Sequence, residues 1–274
     1  MADTVSNTLA WRPLPIFGVE LDHDLSQPLS TQQAHELVGL LWHHGLILAR
    51  GQQLTMERQQ QICGLAGPIL LRSGESGYMS NTGGVLSQSE LAWHADAAYT
   101  DAPFDVLALH ALDVVSDASS TRFINAEQTL ASLPAHLRQQ LADRRVDMIS
   151  PGYDALAGRC CDQRDPVAQK RGEMPAIYRN PHNGRECIWV SELQAARVLG
   201  MEWSESRDLL HEIYAHLYRP EHVFEHRWRN GDIVIWDNIA LQHSRGLLNE
   251  CGKRVLQRVI VGREGVAPHI QSAH

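Results

Sequence analysis

Apolar residues recur at helical spacing after Ser30. Ala34, Leu37, Val38 and Leu41 fall on one face, and Gly45 ends the run. Ser30-Thr31-Gln32-Gln33 reads as a capping box, in which the serine hydroxyl and the Gln33 side chain each satisfy the other's free backbone N–H. A helix is therefore predicted over 30–45. Residues 46–49 form an unbroken apolar run, the pattern of a strand covered on both faces. Thr55 caps a second predicted helix that runs to about residue 66, where Gly67-Pro68 stops it. Period-2 patterning predicts strands over 92–99, 104–115 and 121–124, and 125–133 turns helical ahead of Pro134. Asn183-Gly184 between two β-prone runs predicts a hairpin over 177–190. Leu209, Leu210, Ile213, Tyr214 and Leu217 line one face of a helix predicted over 204–217, which leaves His211 and His216 as solvent-facing or internally bonded histidines. Strands over 233–236 and 254–261 complete the set. Two stretches lack a period: 72–91, with Gly74, Gly77, Gly83 and Gly84, and 152–175, which mixes charge with the Cys160-Cys161 pair.

Composition narrows the class. With 274 residues, 43% hydrophobic and 20% charged, the chain suits one globular domain over 1–274 with a full core. The 24 basic residues against 32 acidic ones, a net charge of -8, argue against nucleic acid as a partner. The Met1-Ala2-Asp3-Thr4-Val5-Ser6 start lacks the charged and apolar regions of a leader, and no apolar run approaches the roughly 20 residues of a membrane helix. A cytoplasmic protein without a membrane partner is expected. Cys63, Cys160, Cys161, Cys187 and Cys251 show no regular spacing, and adjacent cysteines make poor disulfide geometry, so reduced thiols are expected.

The candidate chemistry is in Trp93-His94-Ala95-Asp96. On a strand, His94 and Asp96 project from the same face and can take adjacent positions on one metal ion. Of the 15 histidines, only His94 has an acidic residue two positions on. His243, on a second strand after Trp236-Asp237-Asn238, is the third candidate ligand. Two imidazoles and a carboxylate on one octahedral face leave three positions open for substrates and oxygen. The cysteine spacing does not suit a closed thiolate zinc site. On these residues alone, a hydrogen-bonded His–Asp pair remains the alternative.

Phe17-Gly18-Val19-Glu20, Asp24-Leu25-Ser26-Gln27-Pro28-Leu29-Ser30, the stretch from His44-Gly45-Leu46 to Gly51-Gln52, and Arg227-Trp228-Arg229-Asn230-Gly231-Asp232 through Trp236-Asp237-Asn238 resemble the TauD/TfdA family of Fe(II)- and 2-oxoglutarate-dependent dioxygenases. The resemblance covers nearly the whole chain. It implies a mainly β fold with flanking helices, a double-stranded β-helix or cupin-like jelly roll. It also implies Fe(II) as cofactor, 2-oxoglutarate and O2 as cosubstrates, and His94, Asp96 and His243 as catalytic metal ligands. Arg254, 11 residues beyond His243, matches the arginine that pairs with the far carboxylate of 2-oxoglutarate, and Thr121, 27 residues after His94, matches the threonine beside it.

Arg258 shares strand parity with Arg254 and matches a position that grips a substrate anion in the family. Glu90 matches a position that contacts substrate. Together they suggest a small polar substrate, anionic or amino-acid-like. Tyr78, Asn81, Tyr99 and Trp189 are further candidates for the pocket wall, with core packing as the alternative for the aromatic ones. Trp93 and Trp236 are expected to pack beside the ligands, and Asp232 and Asp237 to shape turns. The glycine-rich stretch 72–91 is a candidate lid on its composition, and the family implies a second lid over 152–175 and a homo-oligomer, dimer or tetramer.

Two departures mark a divergent branch: Ala118-Ser119-Ser120 stands where the family has Gly-Gly-Asp, and Ile239 where an arginine follows Asp-Asn. Neither is a metal ligand. The carboxylate at Asp96 favours hydroxylation, desaturation or a related oxidation over halogenation, because related halogenases carry a small residue there. Two other classes compete: a catalytically silent jelly-roll binding protein, and a zinc hydrolase on the same ligands, which lacks an evident general base.

Overall fold

The computed structural model describes residues 8–71, 77–82, 88–151 and 157–265. In chain order the first strands are β1 (Ala10–Pro13), β2 (Val19–Asp22), β3 (Leu46–Ala49), β4 (Tyr78–Ser80), β5 (Leu91–His94), β6 (Val106–Val114), β7 (Ser120–Asn125) and β8 (Arg145–Pro151). They are followed by β9 (Ala168–Pro175), β10 (Ile177–Arg179), β11 (Glu186–Ile188), β12 (Ala195–Val198), β13 (Val223–Arg227), β14 (Ile233–Asp237), β15 (Leu241–Arg245) and β16 (Arg254–Val261). The helices are α1 (Thr31–His44), α2 (Met56–Cys63), α3 (Ala126–Ala131), α4 (Ala135–Leu141) and α5 (Trp203–Leu217).

Two sheets make the jelly roll. The larger runs β1-β2-β3-β14-β6-β16-β4 and the smaller β13-β7-β15-β5. The alternation of side chains sorts the larger sheet's residues between two cores. Leu46, Leu48, Leu107, Val234, Trp236, Leu256 and Ile260 point between the sheets, where they meet Phe123 and Leu241 of the smaller one. Ile47, Ala49, Val106, Ala108, Ile233, Ile235, Val259 and Val261 point outward and pack under Leu37, Leu41 and Ile62 of the helices. Strand β3 therefore reads as one apolar run because both its faces are covered. Each leucine, isoleucine or valine among them taken fully out of water contributes about 1.5–3 kcal/mol. A third core joins α3, α4 and α5 to Val146, Met148, Ile188 and Val198 of the smaller strands.

Local signals at the helix ends hold. Gln33 N donates to Ser30 Oγ at 3.2 Å and Ser30 N to Gln33 Oε1 at 2.9 Å, so the capping box is formed. Gly45 ends α1 at φ 78, a left-handed conformation, and a Cβ there would sit 3.2 Å from Leu241 Cδ2. Gly184 turns the β10–β11 hairpin at φ 73. Helix α2 is shorter than the expected run to 66, because Leu65 and Ala66 bond back to Ile62 and Cys63 in tight turns. The stretch 152–175, read as aperiodic, contains β9, which pairs along β8 from Arg145↔Pro175 onward. Residues 72–76, 83–87 and 152–156 of the two expected lids lie outside the described residues. All five cysteines are free and buried. Among the described residues no helix is long and apolar enough to cross a membrane.

The turn from β14 to β15 is built by Asp237. Its Oδ1 accepts from Ile239 N at 2.9 Å and Ala240 N at 3.0 Å, and its Oδ2 from Asn180 Nδ2 at 2.7 Å. Burial pushes this carboxyl up to about 6 against those three bonds. This turn sets where β15 starts, and with it the position of His243.

Candidate active site

In the smaller sheet β15 lies between β7 and β5, and His243 stands opposite His94 in register. Their ring centroids are 4.2 Å apart. The strand expected over 92–99 ends at His94. Ala97 takes a left-handed φ of 58, and Ala98 N bonds back to Ala95 O at 3.3 Å. Asp96 is thus brought to His94 by a turn rather than by the pleat. Its Oδ1 lies 3.4 Å from His94 Nε2 and 4.0 Å from His243 Nε2. The three potential ligand atoms all lie within 4.8 Å of one another.

The protonation states fit a divalent metal. His94 Nδ1 is 2.8 Å from the Ala92 carbonyl, which holds its N–H there and leaves the Nε2 lone pair facing Asp96. Burial, reinforced by His94, pushes His243 down to about 3, so its ring is neutral. Burial alone would raise Asp96, but the side chains of His94, His243 and Arg258 beside it outweigh burial and hold the carboxyl below its usual range, so it is ionised. Imidazole nitrogens with a lone pair turned to the ion and an ionised carboxylate are the forms in which these groups coordinate. The donor set suits Fe(II) with open positions.

Two side chains that sequence reasoning missed hold the turn. Gln194 takes both backbone groups of Ala95: Ala95 N donates to its Oε1 at 3.2 Å, and its Nε2 donates to Ala95 O at 2.8 Å. Asn238 does the same for Asp96, accepting from Asp96 N at 2.9 Å and donating to Asp96 O at 2.9 Å. It also donates to Phe104 O at 2.9 Å. Removing such support costs about 10–100-fold in metal affinity in comparable sites, and that is the loss expected for Fe(II) in Asn238→Ala. Equal Fe(II) affinity of variant and parent in an anaerobic titration would show that the clamp is dispensable.

The triad opens into a cavity of about 350 Å³ between the sheets. Leu91, Tyr99, Phe104, Leu107, Leu109, Leu193 and Trp236 supply its apolar wall. Arg254, only 2% exposed, and Thr121, 3% exposed, both line it. Burial, helped by the charge of Arg245, pushes the Arg254 guanidinium down to about 10, so it stays a cation at neutral pH. Trp228 Nε1 donates to Thr121 Oγ1 at 3.0 Å, which leaves the threonine O–H to donate into the cavity. The role of Trp228 went unread in the sequence. Arg258 and, from β9, Gln169 and Lys170 also face the cavity.

The remaining predicted residues are placed elsewhere. Asn81 is buried but faces the backbone, accepting from Arg254 N at 2.8 Å and donating to Gly252 O, so it braces Arg254 from behind. Tyr78 is half-exposed and is outside the cavity wall. Glu90 is not in the wall either: its neighbour Leu91 faces the cavity. Trp189 turns its indole N–H to Ala98 O at 3.0 Å and stacks on Tyr178. Trp93 stacks on Tyr218, and Trp236 packs edge-on to His243 at 5.2 Å. A second group of possible ligands, Cys161, Asp162 and His211, is a partly exposed His–Asp pair at 2.6 Å beside a thiol that burial pushes up to about 12.

A family model described as taurine catabolism dioxygenase TauD, TfdA family matches residues 10–260. Pentalenolactone F synthase of Streptomyces arenae is 27% identical over 189 residues, covering 65% of this chain and 63% of its own length. The alpha-ketoglutarate-dependent 2,4-dichlorophenoxyacetate dioxygenase of Cupriavidus pinatubonensis is 25% identical over 282 residues, covering 93% of this chain and 96% of that protein. The crystal structure of a taurine dioxygenase from Burkholderia xenovorans shares the fold, with TM-score 0.76 and 21% identity over 95% of this chain and 93% of that one. With the family model spanning nearly all of the jelly roll and both strands that bear the triad, the chain belongs to the TauD/TfdA family of Fe(II)- and 2-oxoglutarate-dependent dioxygenases.

Proposed function

We propose that this protein couples the oxidative decarboxylation of 2-oxoglutarate to hydroxylation, or a related C–H oxidation, of a small anion with an apolar body. One observation carries the substrate class. Apart from Asp96, the described residues of the cavity wall include no carboxylate, whereas Arg258 and Lys170 face it beside an apolar surface. An ammonium group would have no counter-ion there, so the anionic reading is preferred to the amino-acid-like one. The 2,4-dichlorophenoxyacetate named for one relative likewise joins a carboxylate to an apolar ring.

His94, Asp96 and His243 hold Fe(II), and Arg254 with Thr121 orients the far carboxylate of 2-oxoglutarate. When bound, iron and 2-oxoglutarate supply the oxidising power drawn from O2, with 2-oxoglutarate leaving as succinate and carbon dioxide. Arg258 fixes the substrate anion, and the apolar wall excludes water and turns a C–H bond toward the triad. A panel of aryl and alkyl carboxylates, sulfonates and sulfate esters, with amino acids alongside, tests this by substrate-stimulated succinate release. For an accepted anion, Arg258→Ala is expected to raise KM by about 30-fold or more, and Glu90→Gln to leave it unchanged. Turnover of amino acids alone, with a response to Glu90→Gln, would overturn this substrate class.

A further inference from the structure

Arg245 is a second buried arginine in the wall of the same cavity. It closes β15 two residues after His243, is 6% exposed, and lines the cavity together with Arg254. Arg254 opens β16 in the facing sheet, so each sheet contributes one guanidinium. The two are close enough for the charge of Arg245 to lower the basicity of Arg254. Nη2 of Arg245 donates to the Ser89 carbonyl at 2.8 Å, a neutral acceptor just ahead of β5 and His94. Two guanidinium groups in the wall of one buried cavity raise the local potential, which favours a ligand that carries a further negative charge.

We infer that Arg245 is a positioning residue for the cosubstrate: a second positive charge that favours a 2-oxo acid with a far carboxylate over one without. Its bond to Ser89 ties that end of the pocket to the strand carrying His94. The inference rests on the 2-oxoglutarate reading of Arg254 given above. It separates charge from tethering, because the two roles respond oppositely to substitution. Glutamine at 245 keeps a donor for Ser89 O and loses the charge; lysine keeps the charge and loses the guanidinium fork.

The test compares affinities of the anaerobic Fe(II)-loaded protein for 2-oxoglutarate and for 2-oxobutyrate, which lacks the far carboxylate. Binding is read by calorimetry and by the visible charge-transfer band, without turnover. Arg245→Gln is expected to weaken 2-oxoglutarate by at least about tenfold while changing 2-oxobutyrate by less than about threefold, and Arg245→Lys to stay near the parent. Melting curves of both variants establish that each is folded. Equal loss for both acids would reduce Arg245 to a tether, and an unchanged 2-oxoglutarate affinity in Arg245→Gln would remove it from the pocket. Arg254→Ala serves as the separate control. If it too fails to discriminate between the two acids, the 2-oxoglutarate reading itself falls, whatever Arg245 does.

Discussion

Asp96→Ala is expected to bind Fe(II) at least about a hundredfold more weakly than the parent and to release no measurable succinate. Structural metal sites gain roughly 10–16 kcal/mol from about four ligands, so one ligand accounts for about 3 kcal/mol, a little over two powers of ten. Asp96 is also the one negative charge set against two histidines, and without it the pair at 4.2 Å between ring centroids has no anionic partner at the ion. The backbone around it is held independently by Gln194 and Asn238, so the variant should fold with a melting temperature close to that of the parent. Calorimetric Fe(II) titration under anaerobic conditions reads the loss directly. Parent-like affinity in Asp96→Ala would mean that the metal, if bound, is held elsewhere.

The second large effect is at Arg254. It is 2% exposed, its backbone is braced by Asn81, and Thr121, which lines the same cavity, accepts from Trp228 Nε1 and so keeps its own O–H to donate. Truncating one partner of a buried, hydrogen-bonded charge pair costs about 2–5 kcal/mol, which here is an increase of roughly 30-fold to several thousandfold in the dissociation constant of 2-oxoglutarate. Arg254→Ala should leave Fe(II) affinity unchanged, because Arg254 is not one of the three ligands. Arg254→Lys should recover part of the loss, since a lysine keeps the charge without the two-pronged geometry. A variant that binds 2-oxoglutarate like the parent would relocate the cosubstrate.

What the sequence disclosed was what local pattern and spacing encode. The Ser30 capping box, the Gly45 stop and the Asn183-Gly184 hairpin are all short-range signals, and each is formed. His94, Asp96 and His243 were legible as types at a spacing, and their convergence follows from β5 pairing with β15. The route was not: Asp96 arrives by a turn with Ala97 at φ 58, which an alternating pattern does not reveal.

The supports were hidden because they come from far along the chain. Gln194 is 99 residues from Ala95, Asn238 is 142 from Asp96, and Trp228 is 107 from Thr121. Arg245 escaped notice because an arginine at a strand end ordinarily faces water. Glu90 and Tyr78 each sit one position from a cavity residue, and a shift of one position reverses the face, whereas Asn81 is taken up by the backbone of Gly252 and Arg254. Strand β9 was unread because Gln169, Lys170 and Arg171 make an exposed, charged strand that looks like a loop.

The central claim is that one ion and one 2-oxo acid share the cavity between the sheets. The most direct measurement is anaerobic titration of the metal-free protein with Fe(II) and then 2-oxoglutarate, following the weak visible charge-transfer band of the chelate. A band is expected that saturates at one 2-oxoglutarate per iron, is lost in Asp96→Ala, and needs far more 2-oxoglutarate in Arg254→Ala. Iron bound tightly at the triad with no band at saturating 2-oxoglutarate would contradict it.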